Sequence, residues 1–172
     1  MRRRTSSVAL VFWLASVLSL QPAQAGRKEP EPEKKTLEFI VIVHPKNQIN
    51  DIPMYALRAI FLKQKQNWPD GTPIIVINFK ARSRPRAAFD YLVSRMLPDE
   101  VAAYWVDRRI RGKGSPPRSL NSSRLIQRIV ARHPGVISYV PADELTETVK
   151  ILKVDGQAPG TGRYPLRREK NQ

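Results

Sequence analysis

The chain has 172 residues, 41% of them hydrophobic, which is enough apolar material for one modest domain. Its 30 Lys and Arg outnumber its 15 Asp and Glu, a formal charge of +15, so its partners are expected to be anions: nucleic acid, anionic lipid or envelope polymer, or small oxyanions. The absence of cysteine excludes a disulfide framework and a lipid attached through an N-terminal cysteine.

Arg2, Arg3 and Arg4 precede an apolar run, "VALVFWLASVLSL", and "PAQA" then places small residues at Ala23 and Ala25. This is the pattern of a cleavable export signal, residues 1–25, and export without disulfides suits a bacterial periplasm. The run falls short of the roughly 20 residues that span a bilayer, and no later stretch approaches that length. "MRRRTSS" lacks a full twin-arginine motif, so export in the unfolded state is expected. Without the first 25 residues, which hold three arginines and no acid, the charge is still +12 over 147 residues.

Residues 26–36, "GRKEPEPEKKT", mix proline with charge and are expected to form a flexible linker. The folded domain is expected over 37–154, and 155–172 reads as a disordered basic tail. No internal repeat of useful length is present. Within the domain, "TLEFIVIVHP" reads as a buried strand. "PMYALRAIFLKQK" reads as a helix with Pro53 at its start and Met54, Leu57, Ile60 and Phe61 on one face. A turn at Asp70-Gly71 leads into a second buried strand, "TPIIVINF".

After Ser83 a helix is expected to turn Ala88, Phe89, Leu92 and Met96 inward. A further helix from Pro98 carries Val101, Tyr104 and Trp105. Asn121 or Ser122 caps another, with Leu125, Ile126, Ile129 and Val130 as its stripe, which "HPG" stops. "VISYV" and "TVKILKV" read as two closing strands. Strands alternating with helices predict an α/β fold with a largely parallel or mixed sheet.

Few residues carry chemistry. His44 and His133 each precede a proline in a loop, without metal-ligand spacing. Asp99 and Glu100 are adjacent, so on a helix they diverge by about 100° and suit its negative first turn rather than a paired-carboxylate site. No nucleophile elbow, P-loop or dinucleotide fingerprint occurs. "GKGSPP", residues 112–117, lacks the strand-to-helix setting of a phosphate cradle, and its prolines remove amides, so it reads as a shaped connecting loop. Export and the lack of aromatics interleaved with basic residues argue against nucleic acid. The unusual stretch is "KARSRPRAAF", residues 80–89. It gathers Arg82, Arg84 and Arg86 around one N-cap candidate, Ser83, where the helix dipole is already positive. An oxyanion there would be held by dipole, free amides and arginines together.

"VIVHPKN", "LRAIFLKQKQNWPDG", "SRPRAAF", "AYWVDRRIRGKGSPP" and "HPGVISYV" occur in the order and at the spacing of the phosphate ABC-transporter substrate-binding family. The chain resembles in particular its short single-lobe relatives, over nearly all of residues 37–154. The resemblance implies one lobe of the type II periplasmic-binding-protein fold, a mixed sheet flanked by helices, without the second lobe that normally closes over ligand; no cofactor, metal or catalytic activity is expected, because the residues show no apparatus for them. In that family the strand-to-helix turn reads Ser-Gly-Thr-Arg with a Phe three residues on, and it holds phosphate. Here Ser83, Arg86 and Phe89 match, while Arg84 stands for the glycine and Pro85 for the threonine.

The implied oxyanion site is Ser83, Arg84 and Arg86, with Arg86 expected to pair two oxygens. Two functions stay open: weak binding of phosphate or a similar oxyanion, or a non-catalytic interaction scaffold whose basic face binds an envelope polymer or a protein partner. Intact-mass measurement of the exported protein is expected to show a chain beginning at Gly26. A mass retaining Met1 to Ala25 would contradict the signal assignment.

Overall fold

A computed structural model describes residues 36–146 and 148–169; the expected signal and linker lie outside them, apart from Thr36. The described chain forms β1 (Thr36–Val43), β2 (Asp51–Ile52), α1 (Met54–Phe61), β3 (Ile75–Phe79), α2 (Arg84–Ser94), α3 (Pro98–Ile110), β4 (Arg118–Leu120), α4 (Ser123–Arg132), β5 (Val136–Pro141), β6 (Lys150–Ile151), β7 (Lys153–Val154) and β8 (Arg167–Glu169). The main sheet runs β4-β3-β5-β1-β6, with β8 also paired to β1, and β2 and β7 form a separate parallel pair. β3 is parallel to both β4 and β5, whereas β1 is antiparallel to β5, β6 and β8. The sheet is therefore mixed, as the alternation of elements predicts.

Both β1 and β5 bury residues of every parity: Phe39 to Val43 and all of Val136 to Pro141 are inaccessible or nearly so. That is the signature of central strands covered on both faces. The core centres on Tyr139 of β5. Its ring stacks on Phe89 of α2, with centroids 3.4 Å apart, and meets Phe39 edge-on at 5.5 Å. Its hydroxyl donates to Asn78 Oδ1 at 2.6 Å. Burial pushes the Tyr139 hydroxyl well above its usual pKa, so this partner is needed to make the buried oxygen tolerable.

One glycine is required by its surroundings. Gly135, at φ +86°, ends the turn after α4, and a Cβ there would run into the Pro73 carbonyl oxygen. Its own carbonyl accepts from Trp68 Nε1 at 3.1 Å and from Ile75 N at 3.0 Å, which ties the start of β3 to the start of β5. α4 is capped as expected by Ser122, whose hydroxyl accepts from Leu125 N at 3.3 Å. The buried Gln127 then joins this helix to the turn that follows β5, donating to Glu144 O and accepting from Thr146 N.

Four expectations need correction. α1 stops at Phe61, because Lys63 takes a left-handed φ of 55° and closes the helix early. α2 ends at Arg95, also left-handed, so Met96 lies beyond it instead of extending its apolar face. "TVKILKV" is not one strand: β6 pairs with β1 and β7 with β2, and the buried Leu152 sits where the chain changes partner. The segment after Asp155, expected to be a disordered tail, packs on the domain. β8 covers Thr36–Glu38 of β1, Phe39 N donates to Leu166 O, and Tyr164 and Leu166 are buried. Composition misled here because two apolar side chains in a basic stretch suffice when a strand edge is waiting for them.

Replacing Leu166, which is 0% exposed, with alanine is expected to lower stability by about 2–5 kcal/mol in urea unfolding. Arg163→Ala on the same segment should change it by less than about 0.5 kcal/mol. An unchanged midpoint for Leu166→Ala would mean that the segment does not belong to the core.

Candidate functional site: the turn entering helix α2

β3 delivers the chain to the turn through Phe79, and Lys80 N is still bonded to Leu120 O of β4. The reversal then needs a left-handed residue. Arg82 supplies it at φ 63°, a conformation in which a non-glycine side chain costs of order 1 kcal/mol. Ser83 follows in the extended N-cap conformation, φ −68° and ψ 151°. Pro85 occupies the first turn, where its fixed φ suits the helix.

The N-terminus of α2 is left incomplete. The Ser83 hydroxyl makes no capping bond, and its oxygen is buried with no hydrogen-bond partner among the described residues. No acid stands in the first turn. Pro85 contributes no N–H, so the free donors facing out of this helix end are the amides of Arg84 and Arg86.

The three predicted site residues divide. Ser83 and the exposed Arg84 lie at the turn. Arg86 instead turns inward and is only 7% exposed. Its Nε donates to Asp90 Oδ2 at 2.5 Å and its Nη1 to the Phe79 carbonyl at 3.3 Å. Both members of this i,i+4 pair are buried. Burial pushes the Asp90 carboxyl above the ordinary carboxylate range, and the Arg86 guanidinium beside it pulls the other way. The expected two-oxygen clamp from Arg86 to a ligand is thus engaged within the fold, where it holds α2 against the end of β3. The Arg86-x-x-x-Asp90 spacing was visible in the sequence as a helical ion pair; what it could not reveal was that the pair faces inward.

Arg82 also has a partner, Asp99 of α3 at 3.1 Å, but both side chains are largely solvent-exposed, so the pair contributes little. Asp99 and Glu100 do stand in the first turn of α3, where Glu100 accepts from Leu97 N at 2.7 Å. A cavity of about 230 Å³ opens beside the turn, between α2, α3 and the Pro116-Pro117 loop. Arg82, Arg86 and Asp90 meet the apolar wall formed by Val101 and Trp105 there. His44 accepts from Lys46 N in a loop and His133 ends α4, and among the described residues no group of His, Asp or Glu is arranged to hold a metal. No helix among them is long and apolar enough to cross a membrane.

Asp90→Asn is expected to destabilise the protein by about 3–5 kcal/mol, because it leaves the Arg86 charge buried without its counter-ion. Arg84→Ala, at an exposed position, should cost less than about 0.5 kcal/mol. Equal urea midpoints for the two variants would remove Arg86 and Asp90 from the support of this turn.

No protein-family model matches the sequence. Solved structures do resemble the fold. An ABC-type phosphate transport receptor from Vibrio cholerae superposes with a TM-score of 0.64 at 18% identity, over 78% of this chain and 55% of that one. PstS from Borrelia burgdorferi gives 0.62 at 19% identity, over 78% of this chain and 55% of that one. A phosphate-binding protein from Stenotrophomonas maltophilia gives 0.58 at 12%, over 72% and 40%. The chain spans about half the length of the first two structures. Its mixed sheet and flanking helices share the fold of the matched part of these structures.

Proposed function

We propose that this protein is an exported, periplasmic solute-binding lobe that holds phosphate or a similar oxyanion weakly at the N-terminus of α2. The observation that carries the reading is the incomplete helix end: an unpartnered Ser83 hydroxyl, free amides at Arg84 and Arg86, and no acid in the first turn. An oxyanion would complete all three, and Arg84 with Arg82 would raise its local concentration. Arg86 acts in this reading as a positioning residue, keeping the helix end in place through Asp90 and the Phe79 carbonyl. The fold likeness supports a binding role over a catalytic one, since the similar structures are transport receptors and binding proteins.

Affinity is expected to be low, with a Kd of about 0.1 mM or weaker. Pro85 removes one amide, Arg84 brings bulk where the backbone would otherwise approach closely, and the turn encloses an ion from one side. A second reading, a non-catalytic scaffold whose basic face binds an envelope polymer or a protein, is favoured by one fact: the arginine expected to clamp the ligand is engaged elsewhere.

Titration of labelled protein with phosphate and with sulfate in about 0.15 M NaCl separates the two by NMR. The binding reading expects the Ser83, Arg84 and Arg86 amides to shift together and saturate, with phosphate preferred. Arg84→Gln should weaken binding about 3- to 10-fold, and Arg124→Gln, an exposed charge on α4, should leave it within about twofold. Non-saturating shifts, or equal loss in both variants, would replace this reading with the scaffold.

A further inference from the structure

At the opposite end of β3 lies a second concentration of charge. The segment between α1 and β3 and the segment between α3 and β4 enclose a recess of about 320 Å³. Lys63, Lys65, Arg108 and Lys113 line it, and no carboxylate does. Four cations converging without an acid repel one another, so the fold would be more stable with some of them absent unless an anion visits.

Two of the four are fixed in place. Arg108 donates from Nη2 to Lys113 O at 2.7 Å and to Lys63 O at 3.4 Å, and from Nη1 to Tyr104 Oη at 3.4 Å. Its Nε is buried with no partner among the described residues. Lys63, whose left-handed φ of 55° ended α1, donates from Nζ to Ser115 O at 3.1 Å. These bonds all run from a cation to neutral oxygen, so they clasp the two segments together without cancelling their charge. The other two, Lys65 and Lys113, are exposed and their ammonium groups have no partner among the described residues. Gly114 stands beside them at φ 97°, and its amide has no acceptor among the described residues.

We infer that this recess is a second anion site, which takes the terminal phosphate of a phosphate monoester. Lys65 and Lys113 are the mobile point charges suited to a dianion, the Gly114 amide adds a fixed donor, and Arg108 with Lys63 supplies a standing positive field. "GKGSPP" thereby gains a role as one wall of a cradle, with the α1–β3 segment as the other. A recess of this size admits a small ester rather than a bare ion alone. The inference is independent of the α2 turn, which lies beyond the other end of the same strand.

The test uses the full exported chain and glycerol 3-phosphate as probe, in about 0.15 M NaCl. The Gly114 and Lys65 amides are expected to shift and saturate. In Lys65→Gln/Lys113→Gln the affinity should fall at least about tenfold, while any phosphate response at the Ser83 amide stays unchanged. Arg124→Gln/Arg128→Gln, which removes the same charge from α4, should stay within about twofold of the parent. Without ligand, the lysine variant is expected to melt at or above the parent temperature, which also shows that it folds. Sedimentation with vesicles containing phosphatidic acid distinguishes a lipid-borne monoester from a soluble one, and in either case the lysine pair must be required. Absence of saturable shifts at Gly114, equal losses in the two double variants, or binding insensitive to the lysine pair would overturn the site.

Discussion

The constraint on which this structure turns is a buried arginine that must be neutralised where it sits. Arg86 is almost inaccessible, and its charge is tolerable only because Asp90 lies one helical turn away and the Phe79 carbonyl accepts a second bond. Those two contacts place the first turn of α2 against the last residue of β3. The same helix then presents Phe89 to the ring of Tyr139, whose hydroxyl returns to Asn78 of β3. Ion pair, stacked rings and buried hydrogen bond link β3, α2 and β5 into one unit, and the turn between β3 and α2 inherits its shape from that unit.

The shape carries cost, and the cost falls on a few residues. Arg82 adopts a left-handed backbone, Ser83 stands at an N-cap without capping, and Pro85 withholds an amide. Surrounding order over-determines the turn enough for these features to persist. A serine hydroxyl at an N-cap normally satisfies one of the orphan amides at little expense, and that of Ser83 does not. At the other helix entrances a side chain does meet the backbone: Asp155 Oδ1 accepts from Met54 N of α1, Glu100 accepts from Leu97 N ahead of α3, and Ser122 caps α4.

Charge is distributed with similar economy. Among the described residues three acids are paired with arginines, Asp90 with Arg86, Asp99 with Arg82 and Asp107 with Arg111. What remains is a surplus of cations, of which Arg58, Lys63, Arg108 and Lys150 donate to carbonyl oxygens. Where such cations meet across two loops, as Lys63, Lys65, Arg108 and Lys113 do, the fold accepts repulsion that a single carboxylate would have relieved.

Most of the architecture was legible in the chain. The continuous apolar runs of β1, β3 and β5, the helical stripes and the Ser122 cap are local patterns whose period reports which face is buried, and they led to the correct α/β sheet. The motif spacing was also enough to anticipate the fold shared with the phosphate transport receptor from Vibrio cholerae. Other features depended on partners distant in sequence. β8 is a strand only because β1, far earlier in the chain, sets Leu37 opposite Arg168 and Glu38 opposite Arg167, and β6 and β7 separate only because their partners differ. At the site, sequence determined that Ser83 would precede a helix and that arginines would crowd it. Tertiary structure alone decided that Arg84 faces solvent while Arg86 turns inward, since burial of a charged side chain depends on whether a counter-ion and a carbonyl are waiting there, and the carbonyl belongs to the strand before the turn.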